Sequence, residues 1–239
     1  MPNRICFFSD LDDTLIQTKR KTDFNKKVVV GSYTKEGDEN SFFYEGTKIF
    51  IDKIIESNIN FIPTTARNLE SYKRTVFFKN EKIQYVILNF GGLILFNNQE
   101  YTNWSKIIEE KYQQIKPMDR VCEELNSLLE KEKVDVQVKI IDNYYISIYN
   151  KYNLDDKNTL NVIRDTLNIF IQKNSDFYVY ENDNSFGILP NFLNKQYAVE
   201  YLIKKLEPIL TIGAGDNISD LDFMQLTNFK LLPEKYIIK

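Results

Sequence analysis

Short apolar runs that stop abruptly at polar clusters occupy both ends of the chain, and strict alternation occupies its middle. Residues 4–9 (RICFFS) form a continuous apolar run, the pattern of a strand buried on both faces. Residues 60–64 (NFIPT) and 209–212 (ILTI) repeat that pattern. A helical period predicts a helix over 47–57, where Phe50, Ile51, Ile54 and Ile55 recur on one face. Further helices are predicted from about Leu69, over 195–206 and opening at 219–224. Residues 86–96 are rich in β-formers and broken by Gly91 and Gly92, as in a hairpin or bend. Residues 17–43 read as polar and irregular, with a short strand at 27–30.

The middle differs. Residues 104–114 and 118–131 are amphipathic, with Val121, Leu125, Leu128 and Leu129 in one stripe. Residues 134–140 (VDVQVKI) and 145–149 (YISIY) then alternate every second position, the signature of antiparallel strands with one wet face. A helix over 157–172 and strands at 177–180 and 185–189 follow. The ends therefore read as a parallel α/β sheet and the middle as an antiparallel α+β unit inserted into it. The boundaries expected are 1–100 with 185–239 for the core and 101–184 for the insert.

Composition narrows the function classes. The 239 residues carry a formal charge of −3 with both signs interspersed, so there is no electrostatic footprint for nucleic acid. No apolar run approaches the ~20 residues of a membrane span, and MPNRICFFSD lacks the apolar core of a signal peptide. Cys6 and Cys122 lie far apart in apolar or amphipathic segments, as buried thiols of a reducing compartment do. The expectation is a cytoplasmic monomer or weak homodimer with no membrane partner. Histidine is absent from the chain. That excludes Ser-His and Cys-His catalysis and any His-ligated zinc, leaving carboxylates, lysine and hydroxyls for any chemistry.

Three core strands end in such groups, and in open parallel sheets ligands bind beyond the carboxyl ends of the strands. The first ends in Asp10-Leu11-Asp12-Asp13-Thr14, the second in Thr64-Thr65-Ala66-Arg67, and the last in Gly213-Ala214-Gly215-Asp216-Asn217-Ile218-Ser219-Asp220. Taken singly, an Asp or Thr after a strand is often a helix N-cap. Acid clusters at two strand ends together suit a hard cation such as Mg²⁺. Thr65 offers a hydroxyl and a backbone amide to phosphoryl oxygens, as do the amides beyond Asp10. Lys195 opens a helix, where it opposes the helix dipole; it is either a solvated surface lysine or is paired with carboxylates and a phosphate.

The order DLDDTL, TTAR, LPNFLNK, GAGDNISDLDFM resembles the four motifs of the haloacid dehalogenase-like (HAD) superfamily. The likeness is greatest to the branch with a large α/β cap between the second and third motifs, which includes Cof-type and sucrose-phosphatase-like phosphatases. It implies an α/β fold, a Rossmann-like parallel sheet core with an inserted α+β cap domain. It also implies a Mg²⁺-dependent phosphatase acting on a small-molecule phosphate ester, with a sugar phosphate as the expected class. By motif, Asp10 is similar to the nucleophile that becomes an aspartyl phosphate, and Asp12 to the general acid/base. Asp10, Asp216 and the Asp12 carbonyl match the metal site, with Asp220 a ligand directly or through water. Thr65 and Lys195 match the phosphate-binding pair, with Asn217 a further candidate. Arg67 is placed to meet a second anionic group or to form a salt bridge. A sugar phosphomutase, or a binding protein of the same fold without turnover, are the alternatives. Asn89-Phe90-Gly91-Gly92 resembles the family's Asn-Gly turn only loosely, and Asn89 is given no role.

Overall fold

A computed structural model describes residues 5–150, 156–182 and 185–233. Arg4, expected in the first strand, lies outside the described residues. The chain divides into two compact units, Met1–Ser105 with Asn194–Lys239, and Lys106–Leu193. In chain order the first part runs β1 (Ile5–Ser9), β2 (Gln17–Thr18), β3 (Val28–Tyr33), β4 (Glu39–Tyr44), α1 (Glu45–Glu56), β5 (Ile59–Pro63), α2 (Leu69–Tyr72), β6 (Tyr85–Leu88), β7 (Leu93–Phe96) and β8 (Gln99–Glu100). Next come α3 (Thr102–Tyr112), α4 (Met118–Lys131), β9 (Val136–Ile141), β10 (Tyr145–Asn150), α5 (Lys157–Lys173), β11 (Phe177–Asn182) and β12 (Ser185–Pro190). The chain then continues through α6 (Lys195–Leu206), β13 (Leu210–Ala214), α7 (Ile218–Met224) and β14 (Phe229–Leu231). The fold is α/β, with a Rossmann-like parallel sheet core and an inserted α+β unit.

The core sheet runs β14-β13-β1-β5, all parallel. Cys6, Phe7 and Phe8 of β1 are buried on both faces, as a central parallel strand requires. Register sets the geometry at the strand ends. Ser9 pairs with Ala214 on one side and with Pro63 on the other, so three strands end at one level. The next residues, Asp10, Gly215–Asp216 and Thr64–Thr65, therefore emerge side by side. Beyond β5, a parallel bridge between Thr64 and Ile87 brings β6 alongside.

The stretch expected to be irregular is a three-stranded antiparallel sheet, β2-β4-β3. β4 reads as polar because it opens Glu39-Asn40-Ser41, yet Ser41 is fully buried opposite Ser32. Their hydroxyls hydrogen-bond each other at 2.5 Å, which removes the cost of burying either. The helix expected from Leu69 stops after four residues. There the Thr75 hydroxyl donates to the Tyr72 carbonyl, and the chain turns to pair with β3 through Thr75–Ser32, Arg74–Tyr33 and Val76–Gly31.

The loop after β6 is tightly held. Asn89, Phe90 and Gly91 all have positive φ, and a Cβ on Gly91 would lie 2.6 Å from the Asn194 carbonyl oxygen. The indole N–H of Trp104 donates to the Gly91 carbonyl at 2.9 Å.

The second unit is an antiparallel sheet, β11-β12-β10-β9, packed against α4 and α5. Ile146 and Ile148 of β10 face Ile188 and Phe186 of β12 in direct register, under Leu125 and Leu129 of α4 and Leu167 and Phe170 of α5. The expected boundary before Ser185 is corrected here. β12 pairs with β10 and β11, so residues 185–193 belong to this unit. Among the described residues no helix is long and apolar enough to cross a membrane.

Two glycines with nearly equal φ test the tightness of the Gly91 turn. Gly37 (φ 93°) has open space around its Cβ position, whereas Gly91 (φ 96°) does not. Gly37→Ala should cost about 1–2 kcal/mol, the penalty of a left-handed alanine alone. Gly91→Ala should cost clearly more by urea denaturation, and equal losses would show that the approach to Asn194 is not tight.

Candidate active site

Asp10 sits one residue past β1 in a loop anchored by buried Leu11, Leu15 and Ile16. Its N–H donates to the Ala214 carbonyl, continuing the β1–β13 ladder. The side chain is only 8% exposed. Lys195 Nζ donates to Oδ1 at 2.7 Å and the Thr14 hydroxyl to Oδ2 at 3.0 Å. Thr14 Oγ1 is also 2.9 Å from Asp216 Oδ1. A hydroxyl has one proton to give, so it cannot serve both carboxylates at once.

Asp220 is fully buried at the start of α7. Its Oδ1 accepts from Lys195 Nζ at 2.7 Å, and its Oδ2 accepts from the N–H groups of Asp216 and Asn217 at 3.3 and 3.2 Å. Asn217 is the N-cap, and its side chain accepts from Ser219 N–H, completing a capping box with Asp220. A Cβ on Gly215 would lie 2.3 Å from the Asp220 Cβ, so only glycine lets the loop fold back this closely.

Lys195 thus lies buried between Asp10 and Asp220. Burial works against its charge, but the two carboxylates outweigh burial and raise its pKa above the ordinary lysine value. Burial pushes the Asp10 carboxyl well above the usual range; Lys195 offsets this in part, while Asp220 and Asp12 add to the rise. Asp216 is pushed up to about 6, chiefly by burial, with Asp220 and Asp13 adding to it against the Thr14 hydrogen bond. Three carboxylates share one lysine here, which leaves two negative charges uncompensated when all are ionised.

That excess is what a divalent cation would fit. Asp10, Asp216 and Asp220 each present a carboxylate oxygen within 4.8 Å of the others. An all-oxygen donor set suits a hard cation such as Mg²⁺, which takes one or two carboxylates directly and keeps water. Asp220 is tied by Lys195 on one oxygen and by two backbone N–H groups on the other, whereas the Thr14 hydroxyl can occupy only one of Asp10 and Asp216 at a time, so those two are the better-placed direct ligands.

Asp12 and Arg67 form a second cluster. Arg67 donates to both Asp12 oxygens, from Nε at 2.7 Å and from Nη2 at 2.6 Å, and its side chain is 10% exposed. Its charge is held firmly: burial disfavours it, but the Asp12 hydrogen bonds outweigh burial and raise the pKa. Arg67 is therefore a buried partner of Asp12. Thr65 is buried beside this pair and its Oγ1 accepts from Arg67 N–H, leaving its own proton to donate. Its backbone amide is not available as the sequence suggested, because it donates to the Ile87 carbonyl at 2.9 Å. The N–H groups of Leu11 and Asp12 have no partner among the described residues.

The structure thus brings Asp10, Asp216, Asp220 and Lys195 into one cluster and pairs Asp12 with Arg67. Asn217 is used as a helix cap. Sequence reasoning gave no role to Thr14, whose spacing of four from Asp10 is the signal that could have found it. Nor did it give one to Asn89, which is fully buried with neither side-chain N nor O partnered and whose N–H donates to the Arg67 carbonyl.

The profile of the sucrose-6F-phosphate phosphohydrolase family matches residues 3–230. The chain belongs to this family. It is a HAD-type phosphatase. No curated protein matches it by sequence. Among solved structures it is similar to the sucrose-phosphatase of Synechocystis in complex with sucrose and phosphate, at 14% identity and a TM-score of 0.61, covering 98% of this chain and 84% of that one. The C-terminal domain of the C. albicans trehalose-6-phosphate phosphatase gives 14% identity and a TM-score of 0.62, over 93% and 73%. The Plasmodium falciparum IMP-nucleotidase gives 12% and 0.60, over 95% and 62%. At these identities the likeness is one of fold.

In this sucrose-6F-phosphate phosphohydrolase family member, the crowding should be visible as a pH dependence. An acid whose folded pKa lies above its unfolded value favours the folded state only while protonated. For Asp216 that contribution is complete below the unfolded value of 3.8 and is lost as pH rises through about 6. No histidine titrates in the same window. The metal-free protein should therefore melt at lower temperature at about pH 7 than at about pH 5, and saturating Mg²⁺ should flatten that dependence. A melting temperature independent of pH without metal would mean that the crowding has no energetic cost.

Proposed function

We propose that the chain hydrolyses a sugar phosphate monoester with Asp10 as nucleophile and Mg²⁺ as cofactor. The observation that carries this reading is a buried carboxylate at the end of the central strand, fixed by Lys195 on one oxygen and by Thr14 on the other. An Asp10 oxygen attacks phosphorus as the bond to the sugar oxygen breaks, giving an aspartyl phosphate and an alkoxide. Asp12 delivers a proton to that alkoxide, then accepts one from the water that attacks phosphorus and releases inorganic phosphate. Lys195, the Thr65 hydroxyl and the N–H groups of Leu11 and Asp12 hold the phosphoryl oxygens, where charge accumulates. Mg²⁺, held by Asp10, Asp216 and the Asp12 carbonyl with Asp220 behind them, would neutralise charge on the phosphoryl group.

The sugar as leaving group rests on the family description and on the sucrose- and trehalose-phosphatase relatives of the fold. The nucleotidase relative shows that the fold alone does not fix it. The assignment of the inserted unit, Lys106–Leu193, as a cap is likewise a proposal, resting on insertion between the second and third motifs.

Phosphate release from a panel of sugar phosphates in Mg²⁺ tests the reading directly. Asp10→Asn removes the attacking charge at nearly constant volume and should reduce turnover to background in a protein that still melts cooperatively. Chelation should abolish turnover and Mg²⁺ restore it, while Ca²⁺ fails because its larger shell would take both Asp10 oxygens as ligands. Wild-type rates in Asp10→Asn would sink the mechanism.

Arg67 gives a second test. Arg67 takes one lone-pair site on each Asp12 oxygen, so the fork sets where the acid points and which sites remain for the leaving oxygen. Lysine is a point charge without that fork. Arg67→Lys should lower kcat about 10- to 100-fold with little change in KM, a part of the roughly 10²- to 10⁴-fold that general acid–base catalysis supplies. A raised KM at unchanged kcat would mean that Arg67 holds the substrate phosphate instead.

A further inference from the structure

The loop after β1, Gln17 of β2, Tyr44 at the end of β4 and Thr47 in the first turn of α1 line a cavity of about 610 Å³ that also reaches Asp216 and Pro233. Thr14 is in hydrogen-bond contact with the nucleophile, so the cavity begins one hydroxyl away from the reacting carboxylate. None of the groups lining its far wall takes part in phosphoryl transfer.

Asp13 is the unexplained residue. It holds a left-handed backbone at φ 63°, a conformation that costs energy outside glycine. Its Oδ2 accepts from Lys21 Nζ at 2.5 Å, while its Oδ1 is buried without a hydrogen-bond partner among the described residues. A shielded carboxylate oxygen left unpaired is expensive, and a ligand hydroxyl is the kind of donor that would relieve it. Around it the wall has further unspent capacity. The Gln17 amide nitrogen is committed to the Asp13 carbonyl, which leaves the side-chain oxygen as an acceptor. The Thr47 hydroxyl has no partner among the described residues. The Tyr44 hydroxyl accepts from Asp23 N–H and keeps its own proton, with Lys26 Nζ 5.2 Å from the ring centre. Lys26 forms no ion pair among the described residues.

Acceptors and donors interleaved on a concave wall beside an aromatic ring match a chain of vicinal hydroxyls, each of which gives one hydrogen bond and takes others. We infer that this cavity is a subsite for the polyhydroxylated part of the substrate, contributed by the segment between the first two motifs. The inference rests on the phosphatase reading for the position of phosphorus, and it assigns to residues 13–47 a share of substrate selection.

The test compares kcat/KM on glucose 6-phosphate, sucrose 6-phosphate and trehalose 6-phosphate with kcat/KM on p-nitrophenyl phosphate, which has no hydroxyls. Two variants are measured in Mg²⁺. Asp13→Gly suits the left-handed backbone and removes the unpaired acceptor, and Thr47→Trp fills the cavity. Each should lower the ratio for the best sugar ester at least tenfold. A ratio unchanged in both variants, or equal losses on all esters, overturns the subsite while leaving phosphate release by the wild type, and with it the phosphatase reading, intact. If the wild type releases phosphate from none of the esters, the phosphatase reading fails, and calorimetric titration with the same sugar phosphates decides the subsite. Binding weakened at least tenfold by Thr47→Trp supports it; equal binding, or none to the wild type, overturns it.

Discussion

One buried ammonium group holds two buried carboxylates, and a third carboxylate stands within reach. Lys195 donates to both Asp10 and Asp220, and none of the three side chains is more than slightly exposed. Removing such charges from water costs several kcal/mol each, on the order that only close pairing and further hydrogen bonds recover. The neighbourhood is built to supply them. The Asp216 and Asn217 amides take the second oxygen of Asp220, Thr14 takes that of Asp10, and Gly215 gives up a side chain so that the loop can close. What remains unbalanced is negative, and a divalent cation among the three carboxylates would offset it.

The cluster exists only because the strands agree in length and register. Side chains in a strand alternate, so a slip of one residue between β1 and β13 would turn Asp10 or Asp216 away from the shared side. The parallel ladder Ile5–Leu210 through Ser9–Ala214 forbids it, since the slip would also move Phe7 and Phe8 out of their packing. Apolar burial thus sets the position of residues that are themselves polar. The same logic extends to β5, whose last pair, Ser9–Pro63, delivers Thr65 and Arg67 to the opposite flank.

Much of this was legible in the amino-acid order, and the exceptions have physical causes. Both-faces-buried strands and heptad-like stripes leave direct marks, so α6 occupies the very residues its periodicity suggests and β1 its apolar run. β4 was invisible because it opens on polar residues, among them a buried serine whose partner, Ser32, lies nine positions away and is known only after folding. The split of polar residues between the two clusters was equally hidden. Spacing put Arg67 near the acids, but only the fold shows that its fork closes on Asp12 and that the Thr65 amide is spent on Ile87. That Asn217 caps α7 with its side-chain oxygen was equally hidden, because cap residues and ligand residues are drawn from the same side chains.

Gly91 has a consequence beyond the stability of its own turn. Its carbonyl takes the Trp104 indole, just before the chain leaves for the inserted unit, and its α-carbon lies against Asn194, the first residue after the chain returns. Departure and return are therefore fastened to a single residue of the host. A segment spliced in between two neighbouring points asks nothing of its host except that those points stay close. Its length and internal architecture can drift, or be exchanged for another module, without disturbing the strand ends on which the acids sit. One hub thus separates what has to stay fixed over generations from what is at liberty to diversify.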